Sequence, residues 1–146
     1  MKKINLNNFT ISNSDPFCLI AGPCVIESRE HTLKMSELLS KICQKLNLNF
    51  IFKASFDKAN RSSAKSVRGV GLDLALEIFD EVKTNFKCPI ITDVHNESHC
   101  DIISKSEIID IIQIPAFLSR QTDLLTAAGR SKKIINIKKG QFLAPN

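Results

Sequence analysis

The fold is decided by the stretch IIDIIQIP at residues 108–115. It is a short, nearly continuous apolar run, rich in isoleucine and stopped by a proline, which predicts a strand buried on both faces of a sheet. Similar runs recur along the chain. Together they predict five strands, at residues 17–21, 50–54, 90–94, 108–114 and 134–138.

Helical patterns separate these strands. Apolar residues recur at helical spacing over residues 30–46, 72–86, 97–105 and 121–128. The predicted buried stripe of the first helix consists of Leu33, Leu38, Leu39, Ile42 and Leu46. Alternating strands and helices indicate an α/β fold with a parallel sheet. Two architectures fit this order, an open doubly wound sheet and a (β/α)₈ TIM barrel.

The length of the chain bears on that choice. A (β/α)₈ barrel averages about 250 residues, or roughly 31 for each strand and helix unit. At that rate 146 residues hold about 4.7 units, which matches five strands with four helices between them. We therefore expect residues 1–146 to form a single incomplete barrel domain, the N-terminal portion, without a linker or a second domain.

Composition argues against several classes of protein. Hydrophobic residues make up 43% of the chain, which suffices for one buried core. No apolar run reaches the roughly 18 residues that a membrane span needs, and the polar start lacks the apolar segment of a secretory signal. Five cysteines without C-x-x-C spacing indicate free thiols in a reducing compartment. We expect a soluble, cytoplasmic chain with no membrane partner.

The net charge of +5 favours anionic ligands. Nucleic acid is not expected, because the charges are scattered, no Trp or Tyr is present to stack on bases, and no zinc-finger or RNP1 pattern occurs. Small phosphorylated substrates account for the charge equally well.

Basic side chains collect at the predicted strand ends, where parallel α/β folds bind their ligands. A single lysine there is usually just solvated. A cluster of cations repels itself, however, unless an anion lies among its members. The spacing therefore predicts a site for phosphorylated small molecules, carboxylated ones included. The cations concerned are Lys53, Lys58, Arg61, Arg120 and Lys138.

Three further side chains at the strand ends carry chemistry of another kind. Asp93 and His95 follow the third strand, and Cys24 follows the first. A lone histidine is often structural, and a free cysteine more often packs as a small hydrophobic residue. Beside a cation cluster, the three side chains add either proton transfer or a metal site.

Four motifs carry a resemblance to a known family. They are FKASFDKANRSS (52–63), ITDVH (91–95), QIPAFLSRQTDL (113–124) and IKKGQF (137–142). In this order they closely resemble the 3-deoxy-D-manno-octulosonate 8-phosphate synthases, also called 2-dehydro-3-deoxyphosphooctonate aldolases. The resemblance extends from about residue 16 to the end of the chain. A related family, the 3-deoxy-D-arabino-heptulosonate 7-phosphate synthases, is the lesser alternative, because it is not expected to carry the full KANRSS run.

The resemblance implies a barrel enzyme that condenses phosphoenolpyruvate with arabinose 5-phosphate. The methylene carbon of phosphoenolpyruvate attacks the aldehyde, water adds to the cationic carbon, and phosphate leaves by C–O cleavage. The product is the eight-carbon sugar acid phosphate of lipopolysaccharide synthesis. Such chemistry explains the cations, because two phosphates and a carboxylate must be held close together.

The resemblance also implies roles for individual residues. The contacts to phosphoenolpyruvate would be Lys53, Ser55, Lys58, Gln113, Ala116 and Lys138. The grip on arabinose 5-phosphate would consist of Asn60, Arg61 and Ser62. Asp93 and His95 would line the site. Arg120 would reach a phosphate in a neighbouring subunit, which implies a homo-oligomer, commonly a tetramer. We expect the catalytic work to fall on Lys58, Asn60, Asp93, His95 and Lys138.

Cys24 resembles the cysteine of the metal-dependent branch of the family; the metal-independent branch carries asparagine there. This implies a divalent ion, Zn²⁺, Fe²⁺ or Mn²⁺, that orients the aldehyde and activates water. The resemblance places the other implied metal ligands, a His, a Glu and an Asp, beyond the fifth strand. A further phosphate-binding Arg is also expected there. Three protein ligands are usual at a catalytic metal. A catalytically inactive, shortened chain with residual phosphate binding is therefore the alternative function.

Overall fold

The computed structural model describes residues 3–6, 9–60, 63 and 65–144. An N-terminal hairpin precedes alternating strands and helices. The strands are β1 (Ile4–Leu6), β2 (Phe9–Ile11), β3 (Cys18–Ala21), β4 (Asn49–Lys53), β5 (Ile90–Asp93), β6 (Ile111–Ile114) and β7 (Ile134–Ile137). The helices are α1 (Arg29–Lys45), α2 (Leu72–Phe86), α3 (Glu97–Ser104) and α4 (Thr122–Arg130), with a short 3₁₀ turn, η1, at Ala116–Leu118.

The main sheet contains five parallel strands in the order β3-β4-β5-β6-β7. Each strand is hydrogen-bonded to the next one along the chain. A doubly wound sheet would instead reverse its strand order at a switch point. The α/β prediction and the five strands with four helices between them are thus confirmed, and the sheet has the form of half a barrel.

Element boundaries agree with the sequence prediction to within a few residues, and the helix at 72–86 agrees at both ends. The largest difference is at β6, predicted from residue 108 but beginning at Ile111. Asp110 explains the difference. Its carboxylate accepts from the backbone N–H of Ile90 at 2.8 Å and from Lys83 Nζ at 2.8 Å, which anchors the loop before the strand.

The hairpin β1–β2 was not predicted from the sequence. Its strands pair antiparallel, with Ile4 opposite Ile11. Three-residue strands are too short to give a clear periodic pattern. Leu6 packs against Ile51, Ile91 and Ile111, so the hairpin covers the amino-terminal end of the sheet on one face.

That face of the sheet has two layers, which follow from the two-residue period of a strand. We call Leu6, Ile51, Ile91 and Ile111 the apolar layer. Two residues further along β4, β5, β6 and β7 stand Lys53, Asp93, Gln113 and Asn136, which we call the polar layer. The opposite face, with Phe52, Ile90 and Ile112, packs against the helices.

The predicted buried stripe of α1 is wrong in part. Leu38, Ile42 and Leu46 are 48%, 51% and 59% exposed, while Leu33 and Leu39 pack partly against the core. The helix instead buries Thr32, Ser36, Ser40 and Cys43. Small side chains let the helix approach its neighbours closely. The hydroxyls of Thr32 and Ser36 donate to backbone carbonyls one turn earlier, at 2.8 and 2.9 Å, so burying them leaves no unpaired donor.

The cysteines are free thiols, as predicted. Cys43, Cys88 and Cys100 are buried, Cys18 is half-buried and Cys24 is exposed. Burial raises the pKa of Cys88 and of Cys100 to about 11. Among the described helices none is long and apolar enough to cross a membrane.

Candidate active site

The turn after β3 brings Cys24 to the carboxyl end of the sheet. A Cβ atom on Gly22 would lie 1.9 Å from the carbonyl oxygen of Lys53, so only glycine allows the turn to approach β4 this closely. Val25 then bridges to Ser55, and the N–H of Ile26 donates to the Ser55 carbonyl at 2.9 Å. Cys24 thereby lies near enough to Lys53 to influence the pKa of that lysine.

The long loop between β4 and α2 is closed at its base. The N–H of Lys58 donates to the carbonyl of Arg68 at 2.6 Å, and the N–H of Gly71 donates to that of Phe56 at 3.2 Å. Gly69 has a φ of +131°, and a Cβ there would lie 2.2 Å from the Phe56 oxygen. This closure fixes the positions of Lys58 and Asn60. Arg61 and Ser62, both predicted to grip the sugar phosphate, lie outside the described residues.

Asp93 is the centre of the charge network at the strand ends. One of its oxygens, Oδ2, lies 3.3 Å from Nε2 of His95 and 4.0 Å from Nζ of Lys58. Burial acts to raise the pKa of Asp93, but the hydrogen bonds with His95 and Ser55 and the charge of Lys58 outweigh it, so the pKa lies below its usual value. Asp93 is therefore a carboxylate at neutral pH.

Lys53 is a half-buried lysine of this network. Burial lowers its pKa, and the neighbouring positive charges of Lys58 and Lys138 act in the same direction, while Asp93 opposes them. A bound anion would relieve this repulsion. The cation cluster predicted from the sequence thus forms for these three lysines.

His95 is held from several sides. Its Nδ1 lies 3.8 Å from Asp57, which accepts from Arg68 Nε at 2.8 Å. The hydrogen bond from Arg68 lowers the pKa of Asp57 against the opposing effect of burial. His99 accepts from the backbone N–H of His95 at 3.3 Å, and the ring of Phe56 lies beside both histidines.

Arg68 and His99 are site residues that the sequence analysis missed. His99 stands four residues after His95, at the start of a helix that Asn96 caps, so the i,i+4 spacing is the signal that was available. Arg68 lies outside the four motifs. Only the loop closure brings it back to Asp57.

A cavity of about 350 Å³ opens beside this network. That volume suits a small ligand. Seven predicted site residues line it: Lys58, Asn60, Asp93, His95, Gln113, Ala116 and Lys138. The remaining lining residues are Asp57, Ala59, Pro115, Phe117, Leu118 and Gln141.

Gln113 is part of the cavity wall and is hydrogen-bonded to its neighbour in the sheet. It pairs in register with Asn136 of β7, and Asn136 Nδ2 donates to Gln113 Oε1 at 3.2 Å. Gln113 is only 8% exposed. Asn136 was not predicted to be a site residue, because within the motif-free run IIN it is indistinguishable from an ordinary strand residue.

The other predicted residues lie around the cavity rather than on its wall. Ser55 is fully buried, and its Oγ, like Asp93 Oδ1, has no hydrogen-bond partner in the described part of the chain. The Ser55 hydroxyl nonetheless acts to lower the pKa of Asp93, so it interacts with that carboxylate. Arg120 is exposed, in the turn before α4, and is not brought to the cavity wall.

The implied metal is not supported by the residues around Cys24. Across residues 3–6, 9–60, 63 and 65–144, no group of three or more His, Cys, Asp or Glu side chains is arranged to hold a metal ion. Cys24 does not form a metal site with them, since three protein ligands are usual.

The cavity at the carboxyl ends of the parallel strands is lined by cations, a carboxylate–imidazole pair and an amide, a combination that suits an anionic ligand. The chain belongs to the DAHP synthetase I family, whose model matches residues 2–146. Among curated proteins it is similar to the 2-dehydro-3-deoxyphosphooctonate aldolase of Rickettsia felis, with 57% identity over 144 residues. It is also similar to the proteins of that name from Rickettsia prowazekii and Rickettsia typhi, at 57% and 56% identity over 146 residues.

These alignments cover 99% of this chain and 52 to 53% of each relative. The chain therefore spans about half the length of the curated relatives that it matches. The family resemblance predicted from the four motifs is confirmed.

Proposed function

We propose that this chain carries the phosphoenolpyruvate side of a 3-deoxy-D-manno-octulosonate 8-phosphate synthase site, on the N-terminal portion of a (β/α)₈ barrel domain. The reaction would join phosphoenolpyruvate, arabinose 5-phosphate and water to give the eight-carbon sugar acid phosphate and inorganic phosphate. The observation that carries the proposal is the gathering of Lys53, Lys58 and Lys138 around Asp93 at one cavity.

The lysines would hold the phosphate and carboxylate of phosphoenolpyruvate. Lys58 and Lys138 line the cavity, and Lys53 lies behind them with its pKa lowered by burial. Point charges in a partly dehydrated site offset the repulsion between the anionic groups of the two substrates. The buried hydroxyl of Ser55 and the amide of Gln113 would complete the contacts.

The Asp93–His95 pair would move the proton that the condensation needs. When the methylene carbon bonds to the aldehyde carbon, the aldehyde oxygen becomes an alkoxide and requires a proton. A histidine ring hydrogen-bonded to a carboxylate at 3.3 Å is suited to supply it. Asn60 lines the same cavity and would orient the sugar phosphate.

Four further parts of the proposal rest on the family alone. They are the sugar-phosphate grip of Arg61 and Ser62, the reach of Arg120 into a neighbouring subunit of a homo-oligomer, a divalent metal at Cys24, and a cytoplasmic location.

Release of phosphate tests the proposal. Purified chain is mixed with phosphoenolpyruvate, arabinose 5-phosphate and Zn²⁺, Fe²⁺ or Mn²⁺ in turn, and inorganic phosphate is followed by ³¹P NMR. Release that depends on arabinose 5-phosphate supports the proposal, and Lys138→Met should abolish it. Release with erythrose 4-phosphate instead would indicate the heptulosonate relative. Binding of phosphoenolpyruvate without release would indicate the inactive, shortened chain.

A further inference from the structure

The amide of Gln113 is hydrogen-bonded through its oxygen to a neighbour in the sheet. Asn136 Nδ2 donates to Gln113 Oε1 at 3.2 Å, and the two residues face each other across the β6–β7 ladder. A primary amide has one acceptor oxygen and one donor nitrogen. With its oxygen engaged by Asn136, Gln113 keeps its two N–H groups for other partners.

The free end of that amide belongs to the cavity. Gln113 lines the cavity together with Lys58 and Lys138. Within the residues that the structure describes, Gln113 Nε2 donates no hydrogen bond. Its nitrogen is not among the buried side-chain atoms that lack a partner, so it remains accessible from the cavity.

We propose that Asn136 is a positioning residue that makes Gln113 a hydrogen-bond donor toward the anionic groups of the substrate. If the amide turned over, its oxygen would face Lys58 and Lys138 and would repel a bound carboxylate or phosphate. In the orientation that the structure shows, the hydrogen bond from β7 leaves the donor side of the Gln113 amide to the cavity. The substrate in this inference rests on the proposed function, whereas the amide orientation is independent of it.

Asn136→Asp tests the orientation directly, because a carboxylate accepts hydrogen bonds and cannot donate them. In this variant Gln113 must turn over to donate to the new carboxylate on β7, which leaves the Gln113 oxygen in the cavity. We expect affinity for phosphoenolpyruvate to fall by roughly tenfold or more, the loss typical of a hydrogen bond to a charged group. The matched control is Gln141→Glu, which adds the same charge at the cavity without touching the amide pair.

Side-chain ¹H–¹⁵N spectra of the full chain give a readout that charge alone does not change. In the wild-type chain, phosphoenolpyruvate should shift the Gln113 N–H signals and leave those of Asn136 in place. In Asn136→Asp the Gln113 signals should already be protected from exchange without ligand and should no longer respond. If Asn136→Asp binds as tightly as Gln141→Glu and its Gln113 signals still respond, the inference is overturned.

Two further measurements distinguish failure of this inference from failure of the proposed function. The carboxylate of Gln113→Glu can still accept a hydrogen bond from Asn136, but it has no N–H group for the ligand. This variant should therefore also lose affinity for phosphoenolpyruvate. Wild-type affinity in Gln113→Glu would overturn the inference even if Asn136→Asp fails to fold. If phosphoenolpyruvate shifts no cavity signal in the wild-type chain, the proposed function fails. In that case the spectra recorded without ligand still test the amide orientation. Protection of the Gln113 N–H groups from exchange in Asn136→Asp, but not in the wild-type chain, supports the inference. Protection of these groups already in the wild-type chain contradicts it.

Discussion

The apolar layer and the polar layer stand on the same face of the same strands, two residues apart. In the apolar layer Ile51, Ile91 and Ile111 are sealed by Leu6 of the hairpin. In the polar layer Lys53 and Asp93 occupy the next inward positions, and Asp93 Oδ1 is buried without a hydrogen-bond partner at short range among the described residues.

The difference teaches where each kind of residue is tolerated. The apolar layer contributes to stability because its side chains are dry and closely packed. The polar layer carries desolvated charge and unpaired polar atoms, which cost stability unless a ligand satisfies them. A change in the first layer should therefore affect folding, and a change in the second should affect binding.

The largest effect is expected for Ile91→Ala in the apolar layer. Ile91 is fully buried. Its truncation leaves a cavity between the sheet and the hairpin and should lower the free energy of unfolding by about 2–5 kcal/mol. Urea unfolding followed by far-UV circular dichroism measures this loss. A loss below about 1 kcal/mol would show that the hairpin does not seal the layer in solution.

Lys138→Met should leave stability nearly unchanged and weaken ligand binding, the opposite of what is expected for Ile91→Ala. The side chain lines the cavity and is exposed, so its replacement should change the free energy of unfolding by no more than about 0.5 kcal/mol. Affinity for phosphoenolpyruvate should fall roughly ten- to hundredfold, since a charged contact to the anion is lost. Titration calorimetry measures the affinity. The exposed Lys41, which pairs with Glu37 on α1, provides the matched control variant Lys41→Met.

The sequence predicted the two layers to different extents. Isoleucine runs and terminal polar residues predicted the strands and the positions of Lys53, Asp93 and Gln113, because a two-residue period depends only on local sequence. Leu6 packs on the apolar layer, and Arg68 pairs with Asp57 beside the cavity. Both contacts join segments that are distant along the chain, so no local sequence pattern indicated them. In α1 the apolar stripe was misleading, since the close approach of the helix selects Ser36 and Ser40 rather than leucine.

A pair of hydroxyl deletions tests how the Asp93 carboxylate is stabilised. The Ser55 hydroxyl acts to lower the pKa of Asp93, whereas Thr92 Oγ1 donates to the carbonyl of Ala54 at 2.9 Å. Ser55→Ala and Thr92→Val should each lower the free energy of unfolding by about 1 kcal/mol at neutral pH. The loss in Ser55→Ala should shrink as the pH falls through the lowered pKa of Asp93, and the loss in Thr92→Val should not change with pH. Urea unfolding at a series of pH values measures both losses, and the same pH dependence in the two variants would show that Ser55 does not stabilise the carboxylate.

The smallest effect is expected for Arg68→Gln, at the outer end of the charge network around Asp93. Arg68 lowers the pKa of Asp57 through a hydrogen bond, so Asp57 binds its proton more weakly in the folded than in the unfolded chain. The resulting stabilisation is present above the unfolded pKa of about 3.9 and is lost as the pH falls through the folded value. Arg68→Gln should therefore be slightly less stable than the wild-type chain at pH 7.

The difference between the two proteins should shrink as the pH falls below about 4, because protonated Asp57 no longer gains from the guanidinium. Urea unfolding at a series of pH values measures it, and Arg29→Gln, which breaks an exposed pair with Glu81 far from the cavity, is the control. High salt should reduce the effect, since the Arg68 side chain is exposed. If Arg68→Gln also weakens phosphoenolpyruvate binding while Arg29→Gln does not, the Asp57–His95 contact at 3.8 Å links the outer ion pair to the cavity. If neither variant affects binding, the Arg68–Asp57 pair serves only to close the loop, and the charge network that acts on the ligand ends at His95.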